Sequence, residues 1–384
     1  MDSRQRLLSA IRRQPVDHTS LYLRLWDLGS GEDRIPFAWR DQVQRCENLL
    51  RLQVDDTLLL QPPLGYTEEY QAEQSPGVLE AKVTRGSDGV LRKTYRTPAG
   101  ELTQAVRLSE DWPHGEDILL FSDFNIPRMV EPIIKTAEDI QRLRYLLAEP
   151  NSDQVAAFKQ QAETLRQHAR RLGVLLDGGW SALGDAAVWL CGTENIFYWQ
   201  MDQPEVLESL MDALLEWELR RVEQVLSEGA ECLVHMAWYE GTDFWTPRNY
   251  RRIIRPRLQQ LVNAAHARGV PFRYIITKGW KPLRGDLLEM GVDCITGVDP
   301  LQDQVDLMEV KQHLGGKMCL MGGINAALTV SMGSEPEIRA AVERAMDILA
   351  PGGGFILFPV DNIMCDAPWE KVEILIDQWK SRWG

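Results

Sequence analysis

The feature of this sequence that most constrains its fold is a series of eight short apolar runs separated by segments of helical periodicity. Several runs are almost continuously apolar, as expected for parallel strands that are covered on both faces. Eight strands that alternate with helices predict an α/β fold, a (β/α)8 TIM barrel. The predicted strands are SLYLRLW (20–26), DTLLLQP (56–62), GVLLDGG (173–179), ECLVHMAW (231–238), PFRYIIT (271–277), DCITGV (293–298), MCLMGG (318–323) and FILFPV (355–360).

Three of the helices between these strands have clear boundaries in the sequence. One is predicted from about Pro204 to Ser227, where leucines recur on one stripe. The other two begin at Thr246 and Ser334, because each of these capping residues is followed by a proline at or near the first turn.

The gap between the second and third predicted strands is too long for a single helix. Within residues 78–118, turn signals at 87–89 and 98–100 separate segments of alternating apolar and polar residues. This pattern predicts an antiparallel β meander inserted into the barrel. We therefore expect residues 1–384 to form one domain.

Charge and hydropathy exclude several classes of partner. The formal net charge is −14, which argues against nucleic acid or an anionic membrane as a main partner. No apolar run reaches the roughly 20 residues of a membrane span, and the polar amphipathic start is unlike a signal peptide. The six cysteines show no CxxC spacing, so neither a disulfide framework nor a finger-type zinc site is expected. A cytoplasmic location is the expectation.

Candidate site residues follow from the barrel prediction, since active sites of such barrels lie at the carboxyl ends of the strands. The residues at those ends are polar and are accompanied by tryptophans, a mixture that suits a cyclic organic small molecule bearing carboxylates. In strand order the candidates are Arg24, Trp26 and Asp27; Gln61; Asp177 and Trp180; His235, Trp238, Tyr239 and Glu240; Lys278 and Trp280; Asp299; Asn325; and Asp361.

Two of these candidates each allow two interpretations. Arg24 lies within an apolar strand and is either half of a buried pair with Asp27 or Asp177 or a clamp for a substrate carboxylate. His235 stands inside a predicted strand, unlike the other five histidines, and is either a satisfied core residue or a catalyst.

The remaining charged candidates are similarly open. Lys278 ends an apolar strand and is either a desolvated nucleophile or a simple counter-charge. Asp299 and Asp361 also end strands, where each is either a general acid or base or a cap for the following turn.

Long stretches of the chain resemble the uroporphyrinogen decarboxylase superfamily, which also contains zinc- and corrinoid-dependent methyltransferases. The resemblance covers nearly the whole chain and implies a TIM barrel and a homodimer. It is carried, in the family's order and spacing, by RQRLLSAIRRQPVDHTSLYL, CGTENIFYWQMDQPEVLESLMD with EGAECLVHMAW, TPRNYRRIIRPRLQQLVNAAHARGV, LLEMGVDCITGVDP, VDLMEVKQHLGGKMCLMGGIN and GGGFILFPVDNIMCDAPWEKVEIL.

The sequence departs from this family where the family's chemistry lies. In place of the decarboxylases' arginine-rich segment it has LRLWDLGSGEDR, which keeps only Arg24, and their key aspartate has no counterpart near Gln61. The zinc-binding HxC pair of the methyltransferases is replaced by residues 276–278, Ile-Thr-Lys. Near the eighth strand, Asp361 stands where a zinc-binding cysteine is expected, and Cys365 follows four residues later.

These residues predict a diverged enzyme related to the decarboxylases that acts without a metal or other cofactor. Arg24 and Lys278 would bind substrate carboxylate, and Asp361 or His235 would donate or accept a proton. Trp26, Trp180, Trp238 and Trp280 would flank an organic ring. One alternative is a methyltransferase that uses zinc or a corrinoid and passes a methyl group to or from a corrinoid protein or a pterin. The other is a barrel without catalysis that binds a ligand.

Overall fold

At the centre of the protein is a curled sheet of eight parallel strands. The structure is a computed structural model and describes residues 1–26, 39–65, 70–364 and 367–383. The strands are β1 (Ser20–Leu21), β2 (Leu25–Trp26), β3 (Thr57–Leu60), β4 (Glu80–Arg85), β5 (Val90–Thr97), β6 (Gly100–Arg107), β7 (Met129–Glu131), β8 (Leu175–Ala182), β9 (Cys232–Met236), β10 (Phe272–Ile275), β11 (Cys294–Val298), β12 (Cys319–Asn325), β13 (Phe355–Val360) and β14 (Ile363–Met364).

Helices cover the outer face of this sheet. Those predicted at Pro204–Ser227, after Thr246 and after Ser334 are confirmed. The helices are α1 (Ser3–Ile11), α2 (Gln42–Arg51), α3 (Ala137–Leu146), α4 (Ser152–Leu172), α5 (Gly184–Asp202), α6 (Pro204–Ser227), α7 (Pro247–Asn249), α8 (Arg255–Ala267), α9 (Arg284–Met290), α10 (Leu307–Leu314), α11 (Glu335–Leu349) and α12 (Trp369–Lys380).

The order of the parallel strands is that of a TIM-barrel-like fold. Neighbouring strands follow the order β1-β13-β12-β11-β10-β9-β8-β3, with parallel register throughout. The two edge strands approach each other where Tyr22 forms a single parallel bridge with Asp55, whose backbone N–H donates to Leu21 O at 3.0 Å. The predicted α/β class is thus confirmed as a curled parallel sheet of TIM-barrel type.

Helix α1 fills the interior of the curled sheet at one end. Leu7 and Ile11 of this helix pack with inward-facing strand residues such as Cys232, Cys319 and Ile356, all nearly or fully buried. Because α1 occupies the amino-terminal end of the strands, we call the opposite end, where the strands finish, the mouth. The larger apolar core lies between the outer face of the sheet and the helices.

The first predicted strand is interrupted. β1 pairs with β13, but β2 leaves the main sheet and pairs with β14, with Ile363 N–H donating to Arg24 O at 2.9 Å. The chain therefore bends between Leu21 and Leu25, and the small β2–β14 sheet extends the mouth beyond β13.

The insertion after β3 is an antiparallel sheet in which β4, β5, β6 and β7 pair in sequence order. Its first two turns lie where the sequence placed them, at 87–89 and 98–100, and Gly89 and Gly100 have φ of 74° and 122°. The sheet extends past the predicted limit of residue 118, since β7 adds a fourth strand at Met129–Glu131. The long connection from β6 to β7 brings residue 123 to the mouth.

Among the described residues, no helix is long and apolar enough to cross a membrane.

Candidate functional site

The ends of the strands bring one arginine, two tryptophans and one aspartate together at the mouth. The guanidinium carbon of Arg24 lies 4.3 Å from the centre of the Trp180 ring and 5.3 Å from that of Trp238. Its Nη1 lies 3.4 Å from Asp361 Oδ1, and the Arg24 side chain is only 14% exposed. A guanidinium held against aromatic faces is fixed and largely desolvated, which strengthens its attraction for an anion.

Asp361 follows β13 directly. Burial raises the pKa of its carboxyl group, the positive charge of Arg24 opposes that rise, and the negative charge of Asp299 adds to it. Its side chain is still 32% exposed and so can be reached from the mouth. A carboxyl group with a raised pKa holds its proton at a higher pH than an ordinary aspartate and can act as an acid.

Asp123 is a residue of the mouth that the sequence analysis missed. It begins a short 3₁₀ helix (Asp123–Arg128) in the connection between β6 and β7. Trp189 Nε1 and the Tyr239 hydroxyl both donate to Asp123 Oδ1, at 2.6 and 2.9 Å. Burial raises the pKa of Asp123, and these two hydrogen bonds oppose the rise. The negative charge of Asp361 raises the pKa further, and the positive charge of Arg24 lowers it. Asp123 is therefore a second carboxylate within electrostatic range of Arg24.

The connection between β6 and β7 sets the position of Asp123. Ser122 Oγ accepts from the N–H of Phe124 and caps the short helix, and His114 Nε2 lies 2.9 Å from the same oxygen. The sequence offers one signal for this residue, an aspartate in the mostly apolar stretch LLFSDF.

Asp177 lies inside the sheet in a buried ion pair. Its Oδ2 accepts from Arg273 Nη2 at 2.6 Å and from Thr57 Oγ1 at 2.9 Å, and both charged side chains are at least nine-tenths buried. Arg24 is therefore paired with Asp361 and not with Asp177. The other partner considered for Arg24, Asp27, lies outside the described residues.

His235 and Glu240 lie behind the sheet, which corrects the expectation that they line the mouth. Both side chains are fully buried, and His235 Nε2 lies 3.1 Å from Glu240 Oε1 while Nδ1 lies 2.8 Å from Ser181 Oγ. Tyr274 stacks on the imidazole, donates its hydroxyl to Glu240 at 2.7 Å and contacts Tyr250 of the helix before α8. These residues form a satisfied polar cluster between strands and helices.

Glu218 of α6 lies near His235 in the same layer and gives the protein a testable pH dependence. It is fully buried, and its Oε1 accepts from Ala182 N–H at 3.0 Å. Burial raises the pKa of Glu218 to about 7, while the charge of Arg221 opposes the rise. Because the folded state then holds the proton more tightly than the unfolded state, this group's contribution to stability is lost as pH rises towards about 7.

We expect the natural protein to lose about 2 kcal/mol of unfolding free energy between about pH 5 and about pH 8 relative to a Glu218→Gln variant. Urea unfolding of both proteins across this range measures the difference. The glutamine cannot ionise, so changes shared by both proteins come from other groups. If the unfolding free energies of the two proteins change with pH in parallel, the raised pKa of Glu218 is contradicted.

Two residues predicted after β10 lie away from the cluster around Arg24. Lys278 is exposed and its Nζ lies 3.1 Å from Asp243 Oδ2, with the two side chains 51% and 47% exposed. Trp280 is fully buried, and its Nε1 donates to Gly297 O at 3.2 Å. The structure therefore corrects both expectations: Lys278 is a solvated counter-charge, and Trp280 is a core residue.

Asp299 and Asn325 hold the ends of β11 and β12. Asp299 Oδ1 accepts from the N–H groups of Leu301 and Gln302, and its Oδ2 accepts from Asn325 Nδ2 at 2.6 Å. Asn325 Oδ1 in turn accepts from Leu328 N–H. Both side chains are nearly or fully buried, so they serve as turn caps at the base of the mouth.

Tyr239 reaches the mouth through its hydroxyl, as the bond to Asp123 shows. Trp26 lies in β2, beside the mouth. The set that the structure brings together from the predicted residues is Arg24, Trp180, Trp238, Tyr239 and Asp361.

The described residues do not fit the zinc site that the resemblance to methyltransferases implies. Such a site needs about three protein ligands within tetrahedral reach. Across residues 1–26, 39–65, 70–364 and 367–383, no group of three or more His, Cys, Asp or Glu side chains could hold a metal ion. Cys232, Cys294 and Cys319 are buried inside the sheet, and Cys365 lies outside the described residues.

Comparisons with solved structures support the fold. The protein is similar to a methyltransferase from Methanosarcina mazei, with 16% sequence identity, a TM-score of 0.62 and 100% of each chain covered. It is also similar to a B12-independent methionine synthase from Shewanella sp. W3-18-1, with 9% identity, a TM-score of 0.51 and 95% of each chain covered. At these identities the likeness shows a shared fold and nothing further.

The family comparison covers the part of the chain that carries most of the mouth. A search of curated proteins finds no match. The family model described as uroporphyrinogen decarboxylase (URO-D) matches residues 119–382, which include Asp123, Trp180, Trp238 and Asp361. This match spans more than half of the chain, and the TIM-barrel-like fold agrees with it. The chain belongs to the uroporphyrinogen decarboxylase (URO-D) family.

Proposed function

We propose that the protein is a decarboxylase-like enzyme that binds a cyclic, carboxylate-bearing small molecule at the mouth. The observation that carries this proposal is the grouping of Arg24 with Asp123 and Asp361. One fixed cation forms an ion pair with Asp361 and interacts electrostatically with Asp123, and the pKa values of both carboxyl groups are raised. An anion-binding group next to proton-holding groups is what a decarboxylation needs.

Arg24 anchors a substrate carboxylate in this scheme. Its guanidinium is planar and can donate two parallel hydrogen bonds to a carboxylate. The anchored carboxylate is one that stays on the product. A cation on the departing carboxylate would stabilise the ground state, because negative charge leaves that group as the bond breaks.

The carboxyl groups supply the proton that decarboxylation consumes. Breaking the carbon–carbon bond releases CO2 and leaves an electron pair on the substrate carbon, which then takes a proton. We assign this step to Asp123, since Asp361 is the carboxylate that forms an ion pair with Arg24. Asp123 Oδ1 accepts two hydrogen bonds, so Oδ2 is the oxygen that would carry this proton.

A ligand screen by thermal unfolding tests the proposal. Pyromellitate, a benzene ring with carboxylates, is the probe, and its uncharged tetra-amide is the matched control. We expect pyromellitate to raise the unfolding temperature and the amide to leave it unchanged. The net charge of −14 disfavours non-specific binding of a polyanion. Equal effects of the two compounds, or none from either, would contradict the proposal.

The Lys278→Met variant removes a cation that the proposal does not use. Because Lys278 and Asp243 are both about half exposed, their pair is worth less than about 1 kcal/mol. We expect affinity for pyromellitate, measured by titration calorimetry, to stay within about twofold of the natural protein. A loss of affinity as large as that of an Arg24 variant would instead show that Lys278 contributes to binding.

Methyl transfer to or from a corrinoid protein or a pterin, the ligand-binding barrel without catalysis, the homodimer and the cytoplasmic location stay predictions. The same holds for the independence from metals and other cofactors.

A further inference from the structure

Asp185 lies behind the mouth yet bonds to the backbone of two residues of the site. It is the second residue of α5 and is fully buried. Its Oδ1 accepts from Tyr239 N–H at 2.7 Å, and its Oδ2 accepts from Trp238 N–H at 3.1 Å. Each carboxylate oxygen thus holds one of two consecutive backbone amides.

Hydrogen bonds link the start of α5 and the segment 238–240, and each of the two segments donates to the other. Gly184 N–H, one residue before Asp185, donates to Glu240 Oε1 at 2.8 Å. The approach is close, because a Cβ atom at Gly184 would lie 2.5 Å from Glu240 Cγ. The carbonyl of Tyr239 is also held, by Trp245 Nε1 at 2.7 Å. The segment therefore has little freedom to shift along α5.

The two residues held by Asp185 reach different parts of the site. The Trp238 ring lies against the Arg24 guanidinium, and the Tyr239 hydroxyl donates to Asp123. We propose that Asp185 is a positioning residue that fixes Trp238 and Tyr239 together and so sets the relative placement of Arg24 and Asp123. The expected effect of Asp185 on ligand binding rests on the proposed function. The expected effect of Asp185 on the positions of Trp238 and Tyr239 does not.

A carboxylate is required at this position for a chemical reason. Two neighbouring N–H groups point at one side chain, and only a carboxylate offers an acceptor to each. Asparagine has nearly the same shape but presents one acceptor and one NH2 group, so one of the two amides loses its partner. Asp185→Asn therefore keeps the volume and breaks the clamp.

Circular dichroism of the Trp180–Trp238 pair tests this geometry without a substrate. The two rings are 6.4 Å apart and inclined at 70°, so their electronic transitions couple. The spectrum of the natural protein minus that of Trp238→Phe isolates this signal. We expect the same difference, taken in the Asp185→Asn background, to lose at least about half of its amplitude, because the ring is no longer held. An unchanged difference spectrum would overturn the proposal.

A control variant and a second measurement complete this test. Asp286→Asn alters another buried aspartate, which pairs with Arg251 and Arg255, and should leave the difference spectrum unchanged. If Asp185→Asn does not fold, hydrogen exchange on the unaltered protein decides. The amides of Trp238 and Tyr239 should be protected, and exchange at the rate of a free loop would overturn the proposal.

Binding adds a readout of the site itself. Asp185→Asn is expected to weaken pyromellitate binding about fivefold, between the effects of Lys278→Met and Arg24→Met. Affinity equal to that of the natural protein would overturn the role of Asp185 in the site. If the natural protein fails to bind pyromellitate, the proposed function fails, while the spectroscopic result still decides the position of Trp238.

Discussion

The Arg24→Met variant is expected to bind pyromellitate about ten- to a hundred-fold more weakly than the natural protein. A hydrogen bond to a charged group contributes about 1.5–3 kcal/mol, and methionine keeps much of the apolar bulk while removing the charge and the donors. Since Trp180 and Trp238 already hold the guanidinium in place, the Arg24 side chain loses little conformational entropy when the ligand binds. Titration calorimetry measures the change.

An Arg24→Lys variant separates charge from shape. Lysine restores the positive charge but lacks the planar fork that suits a carboxylate and stacks on aromatic rings. We expect its affinity to lie between those of the natural protein and Arg24→Met. If Arg24→Met binds pyromellitate as tightly as the natural protein, Arg24 is not the anion-binding group.

The Arg273→Met variant is expected to lower the free energy of unfolding by about 3–5 kcal/mol, the usual cost of leaving one charge of a buried pair without its partner. Arg273 and Asp177 are 5% and 2% exposed, and their Nη2 and Oδ2 atoms are 2.6 Å apart. After the substitution, the hydroxyl of Thr57 is the donor that Asp177 keeps among the described residues. Urea unfolding at neutral pH measures the loss.

The double variant Arg273→Met, Asp177→Asn provides the control. The neutral amide keeps the shape of the aspartate and removes the unpaired charge, so most of the lost stability should return. If the losses of unfolding free energy add, the double variant will be less stable than Arg273→Met alone. That result would show that the ion pair is not the source of the effect.

The architecture could be predicted from sequence because its signals are local and repeated. The long helix Pro204–Ser227 was visible from its leucine stripe, and the starts of two others were visible from a cap followed by proline. Residues that directly follow strands, such as Trp238 and Asp361, could be placed at the mouth once the strands were known. The bend after β1 was not predictable, because the apolar alternation continues through it.

The errors at His235 and at Asp123 have different physical causes. β9 is buried on both faces, so its run of apolar residues carries no alternation that shows which side chains face inward. His235 could therefore not be assigned to the outer layer from sequence. Asp123 was missed for a different reason: it lies in the connection between β6 and β7 of the inserted sheet, and only the fold brings that connection to the mouth.

The crystal structure of the protein soaked with pyromellitate tests the central claim most directly. We expect one carboxylate of the ligand within hydrogen-bonding distance of the Arg24 guanidinium, with the ring between Asp123 and Asp361. Pyromellitate should be absent from the mouth in crystals of Arg24→Met and present there in crystals of Lys278→Met. Ligand bound only elsewhere on the surface, or a mouth left empty in the natural protein, would contradict the account.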